Sequence, residues 1–421
     1  MKRNYYMVVL VFIVFFVISF ITNILGSINP NVSDSFKLSG AMTGLLPFSF
    51  FIAYGLMSIP SGMLIQKYKE KISMTGGWIV ATLGALLFAF FPSYPVFLFS
   101  LFLIGAAMAL MQVVINPLLR VSGGEQHFAF FSVFAQLVFG SASFLSPKVY
   151  SYLVSNLSVP GTKHNAVLQV LSSMTPANLS WISLYWIFAL ITFAMIIIIL
   201  VSRFPKVELK EDEVVGAWET HVQLFKRRTV ILFFIGTFAY VGTEQGIANW
   251  ISEFLRTYHG FKPEVDGAWA VGWFWGLMTI GCILGMGLLK LLDSKIVLRI
   301  FTIAAFVVLT LTLFGTAKMA LYGFPALGFC LSVMWSINMA LALNSIEKFH
   351  GTFAGILCTA IAGGALVPLV IGGLKDIVGL RAGMLVLYLT LGYILSITFW
   401  AKPLVKNETI FNKKKEQANP A

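Results

Sequence analysis

Apolar residues do not alternate with polar ones along this chain. They run in blocks of about 20, divided by short clusters of charged residues, Gly, Pro, Asn and Ser. Helices of that length cover roughly 30 Å of hydrocarbon at about 1.5 Å per residue. Each block must be helical, because lipid offers its backbone no hydrogen-bond partner. The pattern predicts spans at 5–28, 41–66, 72–92, 95–119, 128–154 and 181–202 in the first half. It predicts six more, at 229–254, 267–291, 297–316, 320–345, 352–375 and 382–404. The expected fold class is an all-α membrane protein with twelve transmembrane helices in two six-helix bundles. Its expected divisions are a first bundle over 1–202, a cytoplasmic linker over 203–228, a second bundle over 229–404 and a cytoplasmic tail over 405–421.

Six spans on each side of a polar divider point to duplication, and short echoes agree with it. Gly62-Met63-Leu64 precedes a basic loop containing Lys67, as Gly287-Leu288-Leu289 precedes Lys290, Asp293 and Lys295. Gly140-Ser141-Ala142-Ser143 leads to Pro147, and Gly363-Gly364-Ala365 leads to Pro368. Small residues of this kind let membrane helices approach closely. The segment from Ser155 to Ser180 reads as a surface loop.

Composition excludes a water-soluble domain. Charged residues make up 11% of the chain and mean hydropathy is +0.87, against roughly 25% charged in soluble proteins. A net charge of +12 would suit a nucleic-acid partner, but its distribution does not. With the N-terminus inside, 21 of the 29 Lys and Arg fall in inner loops and ends. That bias expects both termini to be cytoplasmic in a multi-pass protein of the cytoplasmic membrane, with lipid and not nucleic acid as its surroundings. Met1-Lys2-Arg3 and the apolar run behind them imitate a secretory signal, yet the run is too long and lacks a cleavage site, so it reads as a retained first helix. Cys282, Cys330 and Cys358 lack metal-ligand spacing, and all five histidines sit in loops or at helix ends. Neither a metal nor another cofactor is expected. No nucleophile–base pair or carboxylate pair supports an enzyme.

The plainest chemical signal is Glu244, an acid inside an apolar span. A carboxyl at that depth costs several kcal/mol unless it faces a partner or a watery cavity. It reads as a site that titrates during transport, as an oxygen ligand for a sodium ion, or as a structural hydrogen-bonded acid.

Several motifs give these features a family. Ile59-Pro60-Ser61-Gly62 with Lys67, Gln112-x-x-x-Asn116-Pro117, Phe134-Ala135-Gln136, Tyr240-Val241-Gly242-x-Glu244-x-Gly246 and Gly363-Gly364-Ala365-Leu366-Val367-Pro368 occur in this order along the helices. Together they resemble the major facilitator superfamily, and within it the fucose-permease-like sugar transporters, over nearly the whole chain. The resemblance implies two halves that rock about a midplane site, a monosaccharide such as fucose, glucose or galactose as substrate, symport with H+ or Na+, and a monomer. The departures are specific. Where proton-coupled fucose relatives carry an aspartate on helix 1 and a glutamate on helix 4, this chain has Gly26 and Gln112; the helix-5 asparagine becomes Phe139, the helix-8 Gly-Arg pair becomes Gly281-Cys282, and the loop acid becomes Gln66. Neither Gly26 nor Gln112 can gain and lose a proton, so the helix 1–helix 4 route is expected not to operate.

A sugar site needs amides and carboxylates for hydroxyls and rings for C–H faces. The candidates are Asn23, Gln112, Asn116, Gln136, Tyr240, Gln245, Asn249, Trp250, Trp275 and Asn338, with Glu244 for ion coupling. Tyr240 with Glu244 and Gln245 with Asn249 define two faces of helix 7 about 100° apart, and the second is favoured for sugar contact. Structural alternatives stand beside these. Gln136 and Asn338 could bond neighbouring helices, Asn116 could satisfy backbone freed by Pro117, and Trp250 could anchor the outer interface. The basic loops around Lys67 and Lys295 are expected to latch the inner side by charge contacts. An exporter of another small organic solute, uncoupled or in antiport, is the alternative reading.

Overall fold

The computed structural model describes residues 4–124, 128–157, 166–176, 178–205 and 218–404. The linker from 206 to 217 and the tail from 405 lie outside the described residues, as do the charges expected there. Helices follow the apolar blocks. In the first half they are α1 (Tyr5–Thr22), α2 (Leu25–Phe36), α3 (Gly40–Phe90), α4 (Tyr94–Gly123), α5 (Phe128–Leu157), α6 (Ala166–Met174) and α7 (Ser183–Val201). After α8 (Trp218–Phe225) come α9 (Arg228–Ala248), α10 (Ile251–His259), α11 (Ala268–Leu291), α12 (Ser294–Phe314), α13 (Ala317–Leu331) and α14 (Met334–Leu343). The last are α15 (His350–Thr359), α16 (Gly363–Val378), α17 (Leu380–Gly383) and α18 (Val386–Trp400). Side chains cap several starts: Asn4 accepts from the Met7 amide, Ser39 from Met42, Asp293 from Lys295 and Thr316 from Met319.

Ten stretches among the described residues are long and apolar enough to cross a membrane. That number counts α3 once and omits α5. At 51 residues α3 would extend about 77 Å if straight, more than twice a bilayer core. It does not run straight: Lys69 has φ 67° and ψ 169°. The Ser73 hydroxyl reaches the Leu64 carbonyl nine residues back, at 3.5 Å, which a continuous helix forbids. α3 is therefore two spans joined at Lys69. α5 is 30 residues long and packs against α1 and α11.

Buried apolar residues separate into two clusters. One runs from Met7 to Ile199 and takes in Ala268 and Ala365; the other runs from Leu224 to Ala401. The first helix of each half breaks at an asparagine. α1 stops at Asn23 and resumes as α2, and α9 stops at Asn249 and resumes as α10. A second echo lies at the opposite end of the molecule. Lys71 donates to the carbonyls of Leu200 and Ser202 closing α7, and Lys295 donates to the Ala401 carbonyl closing α18. Lys295 thus bonds within its own half, and Lys67 lies over the ring of its neighbour Tyr68. Among the described residues neither lysine reaches across to the other half in this arrangement: each long stem is spent locally.

The polar contacts described between the halves gather at the end carrying α2 and α10. Asp34 pairs with Arg256, and Asn29 Nδ2 donates to the Asn249 carbonyl at 3.0 Å. Asp376 accepts from the amides of Gly40 at 2.6 Å and Ala41 at 2.8 Å, capping a helix of the other half. Gly40 and Gly372 face one another there, each so close that a Cβ on either would strike the other's carbonyl oxygen. The segment expected as a loop from Ser155 to Ser180 contains the helix α6, and residues 158–165 and 177 of it lie outside the described residues.

Candidate functional site

Between the halves lies a cavity of about 460 Å³. Asn23, Phe51 and Tyr54 line it from the first half, with Gln112, Gln136, Phe139 and Ser143. Tyr240, Glu244, Gln245, Trp275, Cys282 and Trp335 line it from the second. It extends from the level of Asn23 and Gln245 toward Ser132 and Leu289, away from the Asp34–Arg256 contact.

Glu244 is the one charged side chain among the described residues lining this space. Helical geometry sets Tyr240 one turn before it, and the Tyr240 hydroxyl donates to Glu244 Oε2 at 2.6 Å. Gln245 Nε2 donates to Glu244 Oε1 at 3.0 Å. Because an ionised carboxylate only accepts, Gln245 must present its amide nitrogen to Glu244 and its oxygen elsewhere. That oxygen accepts from Asn249 Nδ2 at 3.1 Å, and the same Nδ2 donates to the Gln245 carbonyl at 2.9 Å. On the facing wall Asn23 Nδ2 donates to Ser143 Oγ at 2.8 Å, and Ser143 is also bonded to Ser19. The Trp275 indole nitrogen is buried without a protein partner. The arrangement therefore offers a carboxylate, the four amides of Asn23, Gln112, Gln136 and Gln245, and several rings to one small polar molecule.

Seven of the eleven residues singled out from the sequence border this cavity: Asn23, Gln112, Gln136, Tyr240, Glu244, Gln245 and Trp275. Asn249 does not. It is buried behind Gln245 at the break of α9, where its amide serves helix termination. The preference for the Gln245–Asn249 face over the Tyr240–Glu244 face is accordingly corrected. Val241, Glu244 and Gln245 all reach the space, since the cavity is wide enough to take in neighbouring positions about 100° apart. Trp250 is neither a cavity residue nor an interface anchor: it is 0% exposed and donates to the Pro368 carbonyl at 3.2 Å. Asn338 Nδ2 donates to Thr237 Oγ1 at 2.9 Å, joining α14 to α9 outside the cavity. The Asn116 side chain lies outside the described residues.

Sequence reasoning missed Thr22, Tyr54, Phe139, Ser143, Cys282 and Trp335. Trp335 sits one turn before Asn338, so the same helix pointed to it. Tyr54 sits among many similar aromatic residues and carried no signal, whereas Phe139 and Cys282 were marked only as departures from the family's polar residues. Gly26, which replaces the helix-1 acid, is packed against the carbonyl of Ala248 so tightly that a Cβ would collide with it. No side chain, acidic or otherwise, fits there in this arrangement.

Residues 11–368 match the Major Facilitator Superfamily. The chain is 27% identical to a glucose/galactose transporter of Brucella abortus over 387 residues, covering 91% of this chain and 90% of that protein. It is 25% identical to the L-fucose-proton symporter of Escherichia coli K12, covering 87% and 86% respectively. Among solved structures, the E. coli fucose:proton symporter aligns over 95% of this chain and 100% of its own, with a TM-score of 0.66 at 21% identity. A bacterial homologue of the human lysosomal transporter Spinster, inward-facing and occupied, aligns over 95% and 97% with a TM-score of 0.71 at 14% identity. Two packed helical halves around a polar cavity, together with a family match over most of the chain, place this protein in the Major Facilitator Superfamily.

Proposed function

We propose that this chain moves a monosaccharide across the cytoplasmic membrane by alternating access, as a cation symporter. The observation that carries the reading is the cavity wall, on which Asn23, Gln112, Gln136 and Gln245 face Trp275, Trp335 and Phe51. Amides at several heights serve sugar hydroxyls, and rings cover the C–H faces between them. The names of the relatives, glucose/galactose transporter and L-fucose-proton symporter, support a hexose or deoxyhexose.

The moving bodies in this reading are the bundles 1–202 and 229–404, joined by 203–228. The basic end, with Lys71, Lys290 and Lys295, is cytoplasmic by the positive-inside rule. The end sealed by Asp34–Arg256 and Asp376 is then outer, and the conformation is inward-facing. With Gly26 and Gln112 unable to titrate, Glu244 is left as the coupling residue. A proton is the proposed ion, in keeping with the name of the E. coli relative.

Uptake into proteoliposomes tests both parts. Wild type should concentrate a hexose when a pH gradient is imposed, and Glu244→Gln should lose that concentration. Accumulation that survives Glu244→Gln removes the coupling role. Accumulation driven by a sodium gradient alone reassigns the ion, and failure of any hexose to bind or enter removes the sugar.

A further inference from the structure

Glu244 stands in the cavity without a counter-ion. No Lys, Arg or His is among the described residues lining the space, and two cations of the sealed end are engaged with other acids: Arg256 with Asp34 and Glu253, Lys375 with Glu253. Tyr240 takes one acceptor position on Oε2 and Gln245 one on Oε1. A carboxylate has about four such positions, so roughly half remain for a ligand. The carboxylate is flanked by rings as well. Tyr240 lies 6.0 Å from Trp335, centroid to centroid, and both border the cavity. A carboxylate with free acceptor positions and no cation among the described residues beside it, in a cavity also bordered by the rings of Tyr240 and Trp335, is a setting that suits an ammonium group. Ring quadrupoles and carboxylate act in the same direction, and both oppose an incoming anion.

We infer that Glu244, Tyr240 and Trp335 form an ammonium subsite, so that the cavity binds protonated amino sugars and rejects sugar acids and sugar phosphates. This rests on the sugar reading above and narrows it. A neutral sugar donates one hydroxyl hydrogen to the free positions of Glu244 and leaves its charge for the coupling cation. An amino sugar brings three donors and its own charge to the same place.

The test is competition binding to the purified full-length chain at near-neutral pH, where the amine carries charge without an excess of protons to discharge Glu244. Glucose, glucosamine, glucuronate and glucose 6-phosphate are compared, because the first three differ by near-isosteric groups. Glucosamine is expected to bind about tenfold more tightly than glucose, and both anions at least roughly tenfold more weakly. In Glu244→Gln these ratios should shrink to within about threefold, and Trp335→Leu should lower the glucosamine preference about threefold. Glucosamine binding no better than glucose, or glucuronate binding as well as glucose, overturns the ammonium subsite while the sugar reading stands. Absence of binding by glucose and glucosamine alike overturns both. The wild-type series decides the question alone if either variant fails to fold.

Discussion

The two ends of the cavity are built from similar residues used in opposite ways. At the end carrying α2, α10 and the start of α3, charged and amide groups reach across from one half to the other: Asp34 to Arg256, Asn29 to Asn249, Asp376 to Gly40 and Ala41. At the other end Lys71 and Lys295 turn back onto the last helix of their own half. Contacts that cross hold the halves together, whereas contacts that stay inside hold each half rigid. A two-body transporter needs both, because a bundle that deformed at its free end would not convert rocking into opening. The contrast makes the crossing contacts the ones that set which side of the cavity is open.

Cys282 lines the cavity and reports which side reaches it. With Cys330 and Cys358 replaced by Ala, an impermeant maleimide should label Cys282 from the Lys290 side of the wild-type fold and poorly from the Asp34 side. The largest change is expected from Gly372→Val. Gly372 and Gly40 meet backbone to backbone, and the extra carbons would strike the Gly40 carbonyl. Overpacking of this kind costs about 1–3 kcal/mol, enough to transfer much of the labelling to the Asp34 side. Unchanged sidedness in Gly372→Val would mean that this crossing does not hold the closed end.

That crossing was only partly legible in the sequence. Gly363-Gly364 and Pro368 pointed to close packing on α16, but a glycine does not announce its partner, and Gly40 lies more than 300 residues away. The spans themselves were readable because lipid forces a helix on any apolar block of sufficient length. Their breaks were not. Asn23 and Asn249 read as ligands because an amide in an apolar span is costly, and the structure separates them: both end a helix, but Asn23 borders the cavity and Asn249 is buried behind Gln245. Both roles satisfy the same need for hydrogen bonds, so residue type alone cannot choose between them. Lys295 posed a similar ambiguity, since a lysine beside a bundle can reach a partner half or its own helix end.

Asp376→Ala should come next in size. It removes the carboxylate that caps two amides of the opposite half, and loss of a cap costs about 1 kcal/mol. Labelling from the Asp34 side should rise severalfold, and Asp376→Asn should restore part of the wild-type pattern because its amide oxygen can still accept. Asp34→Asn should do less. The Asp34 side chain is 63% exposed, and exposed ion pairs contribute under about 1 kcal/mol. Arg256 also keeps its second partner, Glu253, at 2.7 Å. A larger effect from Asp34→Asn than from Asp376→Ala would reverse the ranking and make the ion pair, not the helix cap, the main fastening.

The smallest shift in sidedness is expected at the opposite end, and it discriminates most sharply between crossing and internal contacts. Lys295→Met leaves the Ala401 carbonyl at the end of α18 without its donor, and Lys71→Met does the same to Leu200 and Ser202 at the end of α7. Cations near helix C-termini contribute about 0.3–1 kcal/mol, so each variant should melt slightly earlier than wild type. Because neither lysine bonds across to the other half among the described residues, Cys282 labelling should keep its sidedness in both. If Lys295→Met instead made the Lys290 side close, the lysine would be acting between halves after all, and the division between rigid ends and fastening ends would fail at this point.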